Sequence, residues 1–261
     1  MMPGNDGVKA ERKDPPPVNN PPEPHSEEAE LNREFRAELT AAIGDHSTIT
    51  LMWPHLEYRG IAAGDAEQKA IHWRADIAMY VETDEESEQD FGPRQLKVGF
   101  LELFTLPVDD SVSETLDSIS VDTAEYLELI AYDALSEEVQ EQFDSPFVSG
   151  LLILNGAYIH PMLRGHNLGA WAVVQAIRHL TYGSITTLVV AYPTPTEERL
   201  GVSEAEGAAR LAQHWGKAGL EPVVACPKLM GQTTACTPIE DAGATLADVA
   251  ELEVAIDGRL A

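Results

Sequence analysis

Cysteine is almost missing from this chain. Cys226 and Cys236 are the only two in 261 residues, too few for a disulfide framework or for a four-ligand zinc site. Basic residues are scarce as well: 17 Lys and Arg stand against 44 Asp and Glu, a formal net charge of −27. That balance argues against binding nucleic acid through its phosphates and leaves cationic or neutral partners. No stretch approaches the ~18 apolar residues of a membrane span, and none has the basic start and apolar centre of a secretory signal. The expectation is a cytoplasmic protein with no membrane contact. The eight histidines never fall into H-E-x-x-H spacing. His160 and His166, which flank one loop, read as turn or pocket residues, and no metal is expected. Neither G-x-x-x-x-G-K-[ST] nor a strand-borne G-x-G-x-x-G occurs, so the two common nucleotide-binding signatures fail.

Proline is concentrated where apolar residues are few. Residues 1–26 hold seven of the 17 prolines and read as a disordered leader that cannot offset its ordering entropy. After it, Leu31, Phe35, Leu39 and Ile43 recur every fourth residue and predict a helix over 27–43, ended by Gly44. Strands follow at 48–56, with Pro54 marking an edge or a bulge, and at 71–81, where apolar and polar residues alternate. Residues 95–106 read as a central strand with Glu102 as its charge of interest. Between those last two strands Glu82, Asp84, Glu85, Glu86, Glu88 and Asp90 form an acidic run. A solvated hairpin loop is the first reading, and an electrostatic funnel for an amine the second. Residues 113–143 carry helical spacing in two segments, the second starting at Ser136.

Residues 151–169 are the most informative part of the chain. Leu151, Leu152, Ile153 and Leu154 have the unbroken hydrophobicity of a strand buried on both faces. Pro161 stops that strand, and Arg164, Gly165, His166, Asn167, Leu168 and Gly169 open a helix over 168–180. A helix start offers unpaired N–H groups and the positive end of a dipole, the two glycines allow a ligand close to the backbone, and Arg164 adds a fork for phosphate oxygens. Beyond it come a strand at 185–192, closed by Pro193 and Pro195, a helix opened by the pair Ser203 and Glu206, and Gly219 as its stop.

The strand, Ile159-His160-Pro161 and residues 164–169 resemble motif A of the GNAT N-acetyltransferase superfamily, written as V-x-P, a short linker, then Arg/Gln-x-x-Gly-x-Gly/Ala. Asn167 stands where the family usually has a middle glycine, and Asn is the non-glycine residue that best tolerates unusual backbone angles. Residues 212–222, with His214, Trp215, Gly219 and Leu220, resemble the family's last helix and following strand, commonly fYeklGFe. The likeness covers roughly residues 148–226.

The resemblance implies an α/β fold with a mixed central sheet flanked by helices, able to bind acyl-CoA. The family's paired helices usually stand between its first two strands, whereas this chain would carry a helical insertion before the fourth strand, at about residues 112–145. The domain would span 27–240, with 241–261 a C-terminal helix or tail. Implied too is direct transfer of acetyl from acetyl-CoA to a primary amine on a small molecule or peptide. In the family a bulge on the fourth strand, near Tyr158 or Ile159 here, gives an N–H to the thioester oxygen, and the pyrophosphate sits on residues 164–169. Glu102 is the first candidate for general base and His160 the second. The family's Tyr acid falls at Trp215, which reads as core, so His214, Tyr192 or solvent is left to protonate the thiolate. The alternatives are a catalytically inactive GNAT-like module that binds acyl-CoA or a protein partner, and an acidic protein that shields a basic partner. A homodimer is left open.

Overall fold

A computed structural model describes residues 24–43, 48–63, 69–82, 94–119, 123–145, 147–181, 186–195 and 203–257. It is a mixed α/β structure built on one large sheet flanked by helices. Residues 1–23 of the expected leader and residues 83–93, which hold most of the acidic run, lie outside the described residues.

Helix α1 (Pro24–Ile43) starts three residues inside the expected leader. It leads into three long antiparallel strands, β1 (Thr48–Ala63), β2 (Ala70–Glu82) and β3 (Gln95–Pro107). Strand β1 is seven residues longer than its apolar pattern suggests, and it survives Pro54 by bulging. Trp53 and Pro54 find no partner on β2, and Trp53 adopts a φ of 51°. Proline removes a ladder donor, so a bulge is where a strand can hold it. The alternation in β2 works as expected, with Ala75, Ile77 and Met79 fully buried on one face and Arg74 and Asp76 on the other.

Between β3 and the next long strand lie α2 (Val112–Ile119), a 3-10 turn (Thr123–Leu129), a two-residue hairpin of β4 (Ile130–Ala131) and β5 (Ala134–Leu135), and α3 (Glu137–Gln142). The two helices expected over 113–143 are therefore shorter, and the middle of the segment is 3-10. Ser136 stands at the N-cap of α3 but makes no side-chain cap bond. The remaining elements are β6 (Gly150–Ile159), α4 (Leu168–Leu180), β7 (Thr187–Ala191), α5 (Glu204–Gly216), β8 (Glu221–Pro222), β9 (Met230–Thr233), α6 (Pro238–Thr245) and β10 (Glu253–Asp257). The C-terminal segment, expected as a helix or tail, returns to the sheet: β10 pairs antiparallel with β1.

The sheet order is β10-β1-β2-β3-β6-β7-β9-β8, and β6 with β7 is its parallel pair. A parallel pair needs a crossover, supplied by α4, and strands covered on both sides become uniformly apolar, as Leu151, Leu152, Ile153, Val189 and Val190 are. Helix α4 packs on one face with Leu101, Leu103, Leu152, Leu154 and Val189. On the other face α2, α3 and the 3-10 turn bury Phe104, Leu106, Ile153 and Val190. Helix α1 lies on the start of β3 and the end of β6, where Leu31 meets Phe100 and Tyr158 and the Tyr158 hydroxyl donates to Asn32 Oδ1 at 2.7 Å.

Candidate functional site

Strands β6 and β7 pair only as far as Leu154 and Ala191. At that point β6 bulges: Leu103 faces Leu154 and Glu102 faces Gly156, leaving Asn155 as the extra residue. The bulge lies three to four residues earlier than expected, at Asn155 rather than near Tyr158 or Ile159. The cause is the register with β3, which slips between Glu102 and Leu103. A bulge bends its strand, and here the bend carries β6 away from β7. His160 donates its N–H to the Val98 carbonyl at 2.8 Å. By the alternation of an antiparallel ladder, the N–H and C=O groups of Ala157 and Ile159 then point away from β3, into the gap.

That gap opens a cavity of about 810 Å³, closed by β6 from Leu154 to Ile159, by the start of α4, by Tyr192 after β7 and by one face of α5. Its size falls within the usual range for a small-molecule site. Helix α4 reaches it with its N-terminal end. Trp171 is the first residue to make the intrahelical bond, to the Asn167 carbonyl at 3.0 Å, and Asn167 provides no side-chain cap. The N–H groups of Leu168 and Gly169, which line the cavity, therefore have no acceptor within the helix. Asn167 takes the left-handed conformation with φ 59°, doing as asparagine what a glycine does most easily. Its Oδ1 accepts from Lys217 Nζ at 2.8 Å, so the cation stands beside the helix start. Gly165, with φ 98°, turns the loop with nothing near its missing Cβ. Arg164 lines the cavity and folds back toward β6, donating from Nε to the Ile159 carbonyl at 2.9 Å, with its guanidinium 5.7 Å from the centre of the Tyr158 ring.

His166 is exposed and outside the cavity wall, so the structure separates it from the other five residues of its loop. Tyr158 contributes backbone, its ring being taken up by α1.

His214 lines the cavity from α5, and its Nε2 lies 2.9 Å from where a Cβ on Gly169 would be. Burial, with the Lys217 charge adding to it, lowers its pKa and keeps the ring neutral. His160 is a correction. It is buried and stacked on Phe35 of α1 with centroids 3.9 Å apart, away from the cavity wall. Burial, then the charges of Arg36 and Arg164, push it down to about 4. A ring so enclosed locks α1 to the end of β6 and has no open path to a reacting amine.

Glu102 sits on the sheet face opposite α4 and is not part of the cavity wall. It receives Arg74 Nη1 on Oε1 at 2.9 Å, and its Oε2 lies 3.4 Å from the position a Cβ on Gly156 would take. Glycine at 156 thus leaves a gap beneath the carboxylate, next to the bulge. Three cavity features escape the sequence reading: Asn155 at the bulge, Lys217 beside Asn167, and Arg210 on the α5 face. An Asn-Gly pair inside an otherwise apolar strand was the available signal for the first.

Among the described residues no three His, Cys, Asp or Glu converge as metal ligands, and no helix is long and apolar enough to cross a membrane. Both cysteines are free. Comparison with family models, with curated proteins and with solved structures found no significant match for this chain.

Proposed function

We propose that this chain is a GNAT-type N-acetyltransferase, moving an acetyl group from acetyl-CoA to a primary amine by direct attack. One observation carries the reading. A parallel strand pair parts at a bulge, and the gap runs straight into the open N-terminus of the crossover helix. The outward N–H and C=O groups of Ala157 and Ile159 suit the two amides of a pantetheine arm laid against β6 as a surrogate strand. At the far end, the N–H groups of Leu168 and Gly169 with Arg164 and Lys217 suit a diphosphate, and they gather positive charge in a strongly acidic chain. The antiparallel strands on either side of β6 and β7 also agree with the family's sheet, and the elements between β3 and β6 would be its helical insertion.

In this reading a backbone N–H at the bulge, by Asn155 and Gly156, faces the thioester oxygen and stabilises the charge that develops there. The amine nitrogen attacks the carbonyl carbon, a C–N bond forms and the C–S bond breaks. Glu102, through a water over Gly156, takes the amine proton. The thiolate takes a proton from Tyr192, at the parting of the strands, or from solvent. His214 stands against the first turn of α4, at the diphosphate end rather than the bulge, so it serves as a wall of the site and not as the acid. Two free thiols suit a cytoplasmic enzyme.

Calorimetric titration with acetyl-CoA tests the proposal. Micromolar binding is expected, with Arg164→Glu weakening it about tenfold or more, which corresponds to ~1.4 kcal/mol. No binding to the unmodified chain would overturn the transferase reading.

A further inference from the structure

The face of β3 opposite α4 presents Phe100, Glu102 and Phe104 in turn. Phe100 is buried under Leu31 of α1, and Phe104 is buried in the cluster with Val112 and Leu116 of α2. Glu102 between them is a quarter exposed at its side chain, at the bottom of a trough between α1 and α2. The sheet register runs a row across that trough: Arg59 faces Arg74, Arg74 faces Glu102, and Glu102 faces Gly156. The row ends at the bulge, so the trough reaches from the opposite face the strand residues, Asn155 and Gly156, that also line the cavity.

The charges in this trough are not those of the chain as a whole. Asp76, buried, receives Arg59 Nη2 at 2.5 Å, Arg74 Nε at 3.1 Å and Lys97 Nζ at 2.7 Å, and Arg74 also holds Glu102. Three cations thus share two carboxylates in a molecule of net charge −27. Glu57, the next carboxylate along β1, turns instead to His55, 3.9 Å away. The outermost cation, Arg59, keeps its side chain 68% exposed. A structural ion-pair network alone needs no cation excess, and desolvating one is costly.

We infer that the acceptor is an amine that also bears a carboxylate, of amino-acid size, with its amine at Glu102 and Gly156 and its carboxylate at Arg59. The inference rests on the transferase reading above. Three strand spacings separate Arg59 from Gly156, roughly 14 Å, and the arginine side chain takes up part of that span. A polyamine is disfavoured in this trough, because its second ammonium would meet Arg59, Arg74 and Lys97. Arg59 is then a specificity residue, acting on which amine is held and leaving the bond changes at the thioester as described.

The full chain would be assayed for CoA thiol release with matched pairs: L-lysine and cadaverine, L-phenylalanine and phenethylamine, L-histidine and histamine. Calorimetry with acetyl-CoA runs alongside. The expected result is a kcat/KM about tenfold or more higher for the carboxylated member of each pair that turns over, as for loss of a charge-assisted hydrogen bond. In Arg59→Ala that preference should collapse through KM. Equal or better use of the decarboxylated amines, a preference that survives Arg59→Ala, or CoA binding with no amino acid acetylated would each overturn the acceptor assignment and leave the cofactor reading standing. Absence of CoA binding would instead remove the reading beneath it.

Discussion

Gly169→Ala tests the junction between α4 and α5, on which the cavity depends. A Cβ at residue 169 would stand 2.9 Å from His214 Nε2 and 3.5 Å from Ile159 Cγ1. The second distance is ordinary contact, so the whole conflict falls on the imidazole. That ring is hemmed in, beside the buried Trp215 with centroids 4.9 Å apart, and it must shift into the cavity. Overpacking of this kind costs about 1–3 kcal/mol, while replacing glycine in a helix returns at most ~1 kcal/mol. The net expectation is a loss of about 1–2 kcal/mol, or roughly 3–6 °C in Tm for a chain of this size. Urea unfolding of four proteins measures it: the parent, Gly169→Ala, His214→Ala and the double variant. With His214 truncated, the new methyl group finds room, and the cost of Gly169→Ala should vanish or change sign, a coupling of about 2 kcal/mol. Acetyl-CoA affinity should fall in Gly169→Ala and recover in the double variant. Equal cost of Gly169→Ala in both backgrounds would refute the contact, and with it the assignment of His214 as a wall of the site.

Asp76→Asn leaves Arg59, Arg74 and Lys97 facing one another without their shared carboxylate; because Arg59 and Lys97 retain access to water, the cost should be about 2 kcal/mol, below that of a fully buried pair, and a change under ~0.5 kcal/mol in urea unfolding would contradict the network. Burial alone would raise the pKa of Asp76, but the hydrogen bonds and charge of Lys97, with those of Arg74 and Arg59, outweigh it and hold it below the ordinary carboxylate value. Its contribution is therefore present above the unfolded carboxylate pKa near 3.9 and is lost as pH falls through the lower folded value, a loss the Asn variant should not show. His160 acts in a different window: unfolded it titrates near 6.5 and folded at about 4, so protons bind the unfolded chain first and stability falls by about 3 kcal/mol between those values. His160→Phe, which keeps a ring against Phe35, should flatten that part of the stability curve relative to the parent, and an unchanged slope would refute the buried neutral imidazole. Phe35→Ala should cost about 3–5 kcal/mol through the cavity it leaves, read by urea unfolding.

How much of this was legible in advance depends on how local the cause was. Helix α4 and its limits follow from an apolar stretch between Asn167 and the basic pair Arg178 and His179, and the structure begins and ends it at the expected residues. The capping pair Ser203 and Glu206 forms as the spacing suggests, the Glu206 N–H donating to Ser203 Oγ at 3.3 Å, and Gly219 takes a φ of 87° where α5 turns into β8. Strands β9 and β10 escaped notice because four or five residues give too little alternation to read, and their partners lie far away in sequence. Strand β1 is underestimated for the opposite reason. Its second half, with Arg59, Gly60 and Ile61, carries no clean apolar face, and pairing with β2 alone extends it.

The site divides along the same line. A motif can be read when its function resides in backbone, and residues 164–169 deliver helix-start N–H groups and two positive-φ turns within six positions. Side-chain roles were not readable, since each is decided by a partner from another element. Phe35 converts His160 from candidate base to buried prop. Arg74 fixes one oxygen of Glu102 while Gly156 clears the space beneath the other. Lys217 reaches Asn167 across 50 positions, bringing the cation of α5 to the start of α4. The bulge at Asn155 joins these parts, because one extra residue both ends the β6 and β7 pairing and brings Gly156 opposite Glu102. Shifting that register by one residue would turn the Glu102 row to the other face of the sheet, and the gap between β6 and β7 would no longer meet the trough that holds Arg59.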